Sequence, residues 1–163
     1  MNRKMSNNVS KSSLSDADKS ILQLLQQDGT LSNAQLAEHL SLSVTPCWRR
    51  LKRLEEEGFI TGYQANLNRR KLGLDVLAFV QLRFTVVSDV SVKQFEALIL
   101  AHPSVLSCHK ITGEADYMLQ VVAADLDAYS DFVEGLLRQV PGISMMHSSL
   151  AMREIKSTHQ FPV

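Results

Sequence analysis

Four basic residues close together in the sequence indicate a chemistry of phosphate and base recognition. Arg49, Arg50, Lys52 and Arg53 lie in the second of two short helices that segment 31–60 predicts. At 100° per residue, Arg49, Lys52 and Arg53 point away from the apolar stripe of that helix. Basic side chains on such a face bind DNA phosphates and the edges of guanine in the major groove. The alternative is an ordinary solvated basic face on a helical hairpin.

A second group of residues has the chemistry to hold a small zwitterion. Segment 112–117 joins two predicted strands and contains Thr112, Gly113, Glu114 and Asp116. Backbone N–H groups near Gly113 and the hydroxyl of Thr112 suit a carboxylate, while Asp116 suits an ammonium group. Gly113 also permits a positive φ, and a plain hairpin tip needs only polar residues of this kind. The segment is therefore either a ligand pocket or a structural turn.

The helices that carry the basic residues have clear boundaries in the sequence. Ser32 is a good N-cap for the first helix, and Gln35 three residues later completes a capping box. Ser43 is placed to cap the second helix, and Pro46 lies in its first turn, where no backbone donor is required. Gly58 ends the second helix in a left-handed conformation. Two helices joined by a short polar turn predict a helix-turn-helix.

Apolar residues predict the core of this region. The second helix has one apolar stripe, formed by Val44, Cys47, Leu51 and Leu54. Phe59 is expected to pack back on Leu54. An earlier helix, capped by Ser15 and covering residues 16–28, completes a three-helix, winged-helix-like unit. We place the end of this domain after a polar hinge, so that it covers residues 14–75.

Beyond residue 75 the apolar spacing changes to the period of two that is typical of strands. Strands are predicted at 76–87, 105–112, 116–123 and 143–155, and helices at 92–101 and 126–139. The order βαββαβ predicts a ferredoxin-like domain over 76–163, with both helices on one face of an antiparallel sheet, which makes the whole chain α+β. The other face should be apolar and should pack on a second copy, giving a symmetric dimer. The residues predicted for it are Leu77, Phe79, Tyr117, Leu119 and Val121.

Composition restricts the remaining classes of function. The 163 residues are 45% apolar, enough for packed cores, and the formal net charge is zero. Residues 1–75 hold 11 Lys/Arg against 8 Asp/Glu, whereas residues 76–163 hold 6 against 9, so the basic surplus accompanies the helix-turn-helix.

Without a bilayer-spanning stretch or a signal peptide, we expect a cytoplasmic protein. Residues 1–13 are polar and predict a disordered arm.

Cysteine and histidine residues give no indication of catalysis. Cys47 and Cys108 favour a reducing compartment and are interpreted as packing residues, with thiol sensing as the alternative. His102, His109 and His147 do not have metal-ligand spacing, and no nucleophile lies in a pattern with a base. We therefore expect a protein that is not an enzyme and has no metal or other cofactor.

Several of these motifs occur in an order that is found in one family. Residues 14–160 resemble the Lrp/AsnC family, the leucine-responsive and asparagine-responsive (feast/famine) transcription regulators. The resemblance rests on LSDAD at 14–18, NAQLAEHL at 33–40, TPC at 45–47, RRLKRLE at 49–55, GFI at 58–60, GEADYML at 113–119, PGI at 141–143 and EIK at 154–156.

The resemblance implies a sequence-specific DNA-binding regulator of amino-acid metabolism or transport. Its C-terminal domain would form homodimers and octamers and bind an amino-acid effector between subunits. The implied partners are double-stranded DNA, further copies of the chain and an amino acid, without a membrane. Together with the basic helix face, the family's helix-turn-helix gives as DNA-binding residues Asn33, Ser43, Thr45, Pro46, Arg49, Arg50, Lys52 and Arg53.

The effector site is implied by the resemblance in the same way. Its residues are Thr112, Gly113, Glu114, Asp116, Tyr117, Leu126, Ser148, Ser149 and Leu150, with the last strand supplied by a neighbouring subunit. Ser148 and Ser149 stand where leucine-responsive members tend to carry bulkier residues, which favours a smaller or more polar amino acid than leucine. A different hypothesis is an architectural DNA-wrapping protein without an effector. It would bind sites spread in phase over many helical turns, and no amino acid would affect that binding.

Overall fold

The computed structural model describes residues 14–85 and 89–163. These form two compact units, one made of residues 14–66 with Thr158–Val163 and the other of Leu67–Ser157. The domain boundary predicted near residue 75 falls later than this division. The arm predicted at 1–13 lies outside the described residues.

Three helices form the first unit: α1 is Asp16–Gln27, α2 is Asn33–His39 and α3 is Val44–Glu56. The capping box predicted for α2 is confirmed, because the Ser32 hydroxyl accepts from the Gln35 N–H and the Gln35 side chain accepts from the Ser32 N–H. A second box starts α1, where Ser15 and Asp18 exchange the same contacts. Ser43 occupies the N-cap position of α3, but its side chain makes no cap hydrogen bond.

Buried apolar residues from all three helices make one small core. They are Ile21, Leu22, Leu36, Ala37, Cys47 and Leu54. Two expectations about this core are wrong. Val44 is 51% exposed rather than packed, and Phe59 is 40% exposed. Ile60 takes the place predicted for Phe59, because its N–H donates to the Leu54 carbonyl at 3.1 Å and its side chain packs on the core.

The last six residues return to the first unit and bind the surface of α1. The Gln23 amide donates to the Val163 carbonyl at 2.8 Å, and the Gln26 amide donates to the Phe161 carbonyl at 3.1 Å. Gln26 also accepts from the Phe161 N–H, while the Gln160 side chain donates to the Gln26 carbonyl at 2.9 Å. Segment Thr158–Val163 is thus held mainly by amide hydrogen bonds at the surface.

After a short 3-10 helix, Arg69–Leu72, the described part of the second unit contains four strands and two α-helices. They are β1 (Val76–Phe84), α4 (Asp89–Ala101), β2 (Val105–Lys110), β3 (Tyr117–Ala123), α5 (Leu126–Gln139) and β4 (Ile143–Leu150). The sheet order is β2-β3-β1-β4, and every neighbouring pair is antiparallel. This confirms the α+β, ferredoxin-like prediction. The last strand ends at Leu150, short of the predicted residue 155, and the final residues predicted for the first strand, 86–87, lie outside the described part of the chain.

The register of β1 and β3 decides which residues face the helices. Val80 lies opposite Leu119 and Leu82 lies opposite Tyr117, and all four belong to the buried cluster with Phe95 of α4. The prediction that Tyr117, Leu119 and Val121 line the bare face is therefore wrong. The residues of β1 and β3 on that face are Leu77, Phe79, Gln81, Arg83, Met118, Gln120 and Val122. Among them Leu77 and Val122 are buried, whereas Phe79 is 40% exposed.

Two negative observations apply to the described residues. No helix in 14–85 or 89–163 is long and apolar enough to cross a membrane. The same residues contain no group of three or more His, Cys, Asp or Glu side chains that could hold a metal ion.

Candidate functional site

The outer face of α3 presents the side chains that are available to a partner. Thr45, Pro46, Arg49 and Lys52 are all exposed. The Lys52 ammonium lies 5.2 Å from the centre of the Trp48 ring, a cation–π contact. Trp48 itself is 45% exposed. This face combines a small residue, two cations and an aromatic surface, which suits close approach to the DNA backbone and to base edges.

Two of the four predicted basic residues form ion pairs with a residue of α1. The Arg53 Nη2 atom lies 2.7 Å from Asp18 Oδ2, and the Arg50 Nη1 atom lies 3.1 Å from Asp18 Oδ1. Arg50 also donates to the Ser15 hydroxyl at 3.0 Å. Both guanidinium side chains keep about two fifths of their surface exposed, whereas the Asp18 side chain is 2% exposed. The basic row is thus divided between cations bound to α1 and cations facing solvent.

The electrostatics of Asp18 follow from its neighbours. Burial by itself raises the pKa of this carboxyl, because the charged form loses water. The hydrogen bonds from Ser15, together with those from Arg53 and Arg50, outweigh burial and hold the pKa well below its usual range. Asp18 is consequently an anion at any pH near neutrality, and each of its oxygens is occupied by a guanidinium.

A groove lies between the start of α2 and the outer side of α3. It has a volume of about 310 Å³ and is lined by Asn33, Trp48, Leu51, Lys52 and Glu55. The Asn33 side-chain oxygen is buried there without a hydrogen-bond partner in the described structure. The Tyr63 hydroxyl donates a hydrogen bond to Glu55, one of the lining residues, at 2.9 Å. Burial, followed by this bond and the charge of Glu55, raises the pKa of Tyr63 to about 12.

The segment predicted to bind an effector is a turn at one end of the sheet. The Ile111 N–H donates to the Asp116 carbonyl at 2.9 Å, which closes the turn. The Asp116 N–H donates to the Leu82 carbonyl at 2.8 Å, and the Phe84 N–H donates to Asp116 Oδ2 at 2.8 Å. Asp116 thus continues the pairing of β1 with β3 by using its side chain as an acceptor. Thr112, Gly113 and Glu114 are exposed, and Gly113 has a φ of +120°.

The remaining predicted effector residues lie elsewhere in the unit. Ser148 lies opposite Val80 on the helix side of the sheet, where its hydroxyl accepts from Tyr129. Ser149 lies opposite Phe79 on the other face, and Leu150 lies opposite Ala78.

Position along β1 separates these residues from the turn. Tyr117 is paired with Leu82, whereas Leu150 is paired with Ala78, four residues away along the strand or about 13 Å. Leu126 follows β3 and is 58% exposed. A single chain therefore does not bring the turn together with Leu126 and Leu150.

Neither cysteine has the surroundings of a reactive thiol. Cys47 is fully buried, and burial raises its pKa more than the charge of Arg50 lowers it. Burial, with a smaller contribution from Glu96, also raises the pKa of Cys108. Both thiols are therefore protonated near neutral pH, which makes them poor nucleophiles.

Sequence reasoning missed two partners of the predicted site residues. Asp18 belongs to a Ser-x-x-Asp pattern that is visible in the sequence as a capping signal, although its link to α3 is not. Tyr129, which donates to Ser148, has no local signal, because the two residues meet only through the packing of α5 on the sheet.

Comparison with known proteins assigns the chain to a family. Residues 77–161 match the Lrp/AsnC ligand binding domain, and residues 14–61 match a winged helix-turn-helix DNA-binding domain. The DNA-binding transcriptional activator DecR of Escherichia coli K12 is 41% identical over 150 residues, covering 92% of this chain and 99% of DecR.

Two solved structures have the same fold. A transcriptional regulator from Neisseria meningitidis in complex with L-methionine has a TM-score of 0.87 at 39% identity, covering 92% of this chain and 97% of the other. A feast or famine regulatory protein from M. tuberculosis, also complexed with L-methionine, has a TM-score of 0.80 at 27% identity, covering 91% and 99%. The chain belongs to the Lrp/AsnC family of DNA-binding transcriptional regulators, as its sequence motifs predicted, and not to a family of enzymes.

Proposed function

We propose that α3 enters the major groove and that Thr45, Pro46, Arg49 and Lys52 form the centre of the DNA interface. The observation that carries this proposal is the exposure of these four residues on one face of α3. Asn33 and Ser43 lie at the starts of α2 and α3, where backbone N–H groups suit a phosphate. Arg50 and Arg53 are left out of the central group because both bind Asp18.

Base reading and phosphate binding can be separated by two substitutions in α3. Arg49→Ala should weaken binding to the preferred DNA sequence, the one enriched from a random pool, by about 1–3 kcal/mol. It should also relax the preference at one base position, because a bidentate contact to guanine is lost. Lys52→Gln should weaken binding to all DNA sequences alike, because one phosphate contact is lost. It should also reduce the salt slope, the slope of log K against log salt concentration, by about 0.9. Fluorescence anisotropy with the duplex enriched from a random pool, and with a mixed-sequence duplex, measures both effects. Parent-like binding by both variants would contradict the proposed face.

We further propose that the C-terminal unit binds an amino acid between subunits. The turn at 112–117 would supply the groups for its carboxylate and ammonium, and Leu126, Ser148, Ser149 and Leu150 would come from a neighbouring subunit. The separation of the turn from Leu126 and Leu150 within one chain supports a site shared between copies, in dimers and in larger assemblies such as octamers. Methionine is the first amino acid to test, because two structural relatives were solved with it. We place the protein in the cytoplasm, where DNA and amino acids are both present.

Asp116 and Glu114 are the two candidates for the ammonium group. Asp116→Asn keeps an oxygen that accepts from the Phe84 N–H but removes the charge, so the sheet should be preserved. Affinity for methionine, or for the best amino acid of a thermal-shift screen, should fall by about 1.5–3 kcal/mol. Glu114→Gln is the matched control on the same turn and should bind like the parent. Calorimetry decides between them, since the reverse result would place the ammonium at Glu114.

A further inference from the structure

The basic residues of α3 differ in what already neutralises them. Asp18 of α1 accepts from Arg53 on one carboxylate oxygen, at 2.7 Å, and from Arg50 on the other, at 3.1 Å. Arg49 takes part in no ion pair within the described residues. Lys52 has Glu56 at 3.8 Å, but both side chains are more than half exposed, so water and salt screen this pair. A single carboxylate on α1 therefore pairs with two of the four cations of α3 and leaves Arg49 and Lys52 exposed to solvent.

Asp18 is itself held firmly from the α1 side. Its Oδ2 atom accepts from the Ser15 N–H at 2.9 Å and from the Ser15 hydroxyl, both within the capping box of α1. The carboxylate is almost completely buried, so it cannot turn towards water to release its partners. A buried anion without its cations is costly, which opposes any movement of Arg50 and Arg53 towards another anion. The same contacts fix the rotation of α3 relative to α1.

We propose that Asp18 is a positioning residue for DNA recognition, which anchors α3 through Arg50 and Arg53 and withholds both guanidinium groups from phosphate. Arg49 and Lys52 are then the cations of α3 that meet DNA, and their direction is set by the anchored pair. This inference rests on the proposed DNA interface of α3 and narrows it. An arginine has five N–H donors, so a phosphate would compete for those that Asp18 leaves unoccupied. The salt dependence of binding counts such phosphate contacts and so measures that competition.

The experiment compares the salt slopes of full-length variants on a mixed-sequence duplex. Lys52→Gln is the reference for a phosphate contact, with an expected loss of about 0.9 in slope. Arg50→Gln and Arg53→Gln are expected to leave the slope unchanged. A loss in either that equals the loss in Lys52→Gln would overturn the inference while leaving the DNA interface standing. An unchanged slope in Lys52→Gln would instead remove the proposed interface, and the inference with it.

Asp18→Asn tests the positioning role directly. It frees two guanidinium groups for phosphate, so the slope should steepen by up to about 1.8, the value for two added contacts. The ratio of affinities for the selected and the mixed-sequence duplex should fall several-fold, because the new contacts carry no sequence information. Asp16→Asn removes an exposed charge from the same turn of α1 and should change neither quantity. If Asp18→Asn lowers only thermal stability, with slope and ratio unchanged, Asp18 is structural and the inference is overturned. Should this variant fail to fold, the two arginine variants still decide.

Discussion

At the scale of single residues, two carboxylates show how a charged side chain serves the fold before any partner arrives. Asp116 lengthens the β1–β3 ladder by accepting from the Phe84 N–H, and Asp18 joins α1 to α3. Both positions could be predicted as special from the sequence, because each lies in a local motif. What each carboxylate binds could not be predicted, because Phe84, Arg50 and Arg53 are distant in the sequence. Their identity follows only from tertiary packing.

Asp18 should make the stability of the first unit depend on pH. Its pKa is depressed below 3.8, so its contribution is fully present above that value and is lost as the pH falls towards the pKa of the folded state. Asp18→Asn should therefore destabilise the unit at pH 7 by about 1.5–3 kcal/mol, the range for hydrogen bonds to a charged group. The difference from the parent should shrink below pH 3.8. Urea unfolding followed by Trp48, the single tryptophan of the chain, reports on this unit. A difference that does not vary with pH would exclude a charge-based role, and Asp16→Asn serves as the control.

At the scale of elements, local signals predicted helix ends better than packing directions. The capping box of Ser32 and Gln35 and the bounds of α5, 126–139, were predicted correctly, because both depend on a few neighbouring residues. The sides of β3 were assigned wrongly, because the face of Tyr117 is set by its register with Leu82 on a strand far away in sequence. Shifting a strand by one residue moves every side chain to the opposite face.

Replacing glycine by alanine should have opposite effects on stability at the end of α3 and in the middle of α5. Gly58 has a φ of +77°, and a Cβ there would meet no atom within 4 Å, so an alanine would suffer only backbone strain. Gly58→Ala should lower the free energy of unfolding of the first unit by about 1–2 kcal/mol. Gly135 lies within α5 with similar free space around a Cβ, so Gly135→Ala should stabilise the second unit by about 0.5–1 kcal/mol. Trp48 fluorescence and circular dichroism during denaturation follow the two units. An unaffected Gly58→Ala variant would mean that α3 does not end in a left-handed residue.

At the scale of the whole molecule, the chain passes between its two compact units twice. It leaves the first unit after residue 66 and returns to it at Thr158. The second passage ends in the hydrogen bonds of Gln23 and Gln26 with the last residues. The unit that is expected to bind the effector is thus linked to the DNA-binding helices by the chain itself at its N-terminal end, and at its C-terminal end by a segment that hydrogen-bonds to α1.

The bare face of the sheet should set the state of assembly. Among its apolar residues in β1 and β3, Leu77 and Val122 are already buried within the chain, whereas Phe79 is 40% exposed, and the core formed with α4 and α5 lies on the other face. The full-length protein should therefore be at least a dimer at micromolar concentration. Phe79→Glu places a charge in the centre of this face and should shift the protein towards monomer. Leu100→Glu is the matched control, because Leu100 is 88% exposed on α4 and lies away from the bare face. Sedimentation velocity compares the three proteins. A monomeric parent, or equal effects of the two substitutions, would show that the exposed sheet face does not carry the assembly.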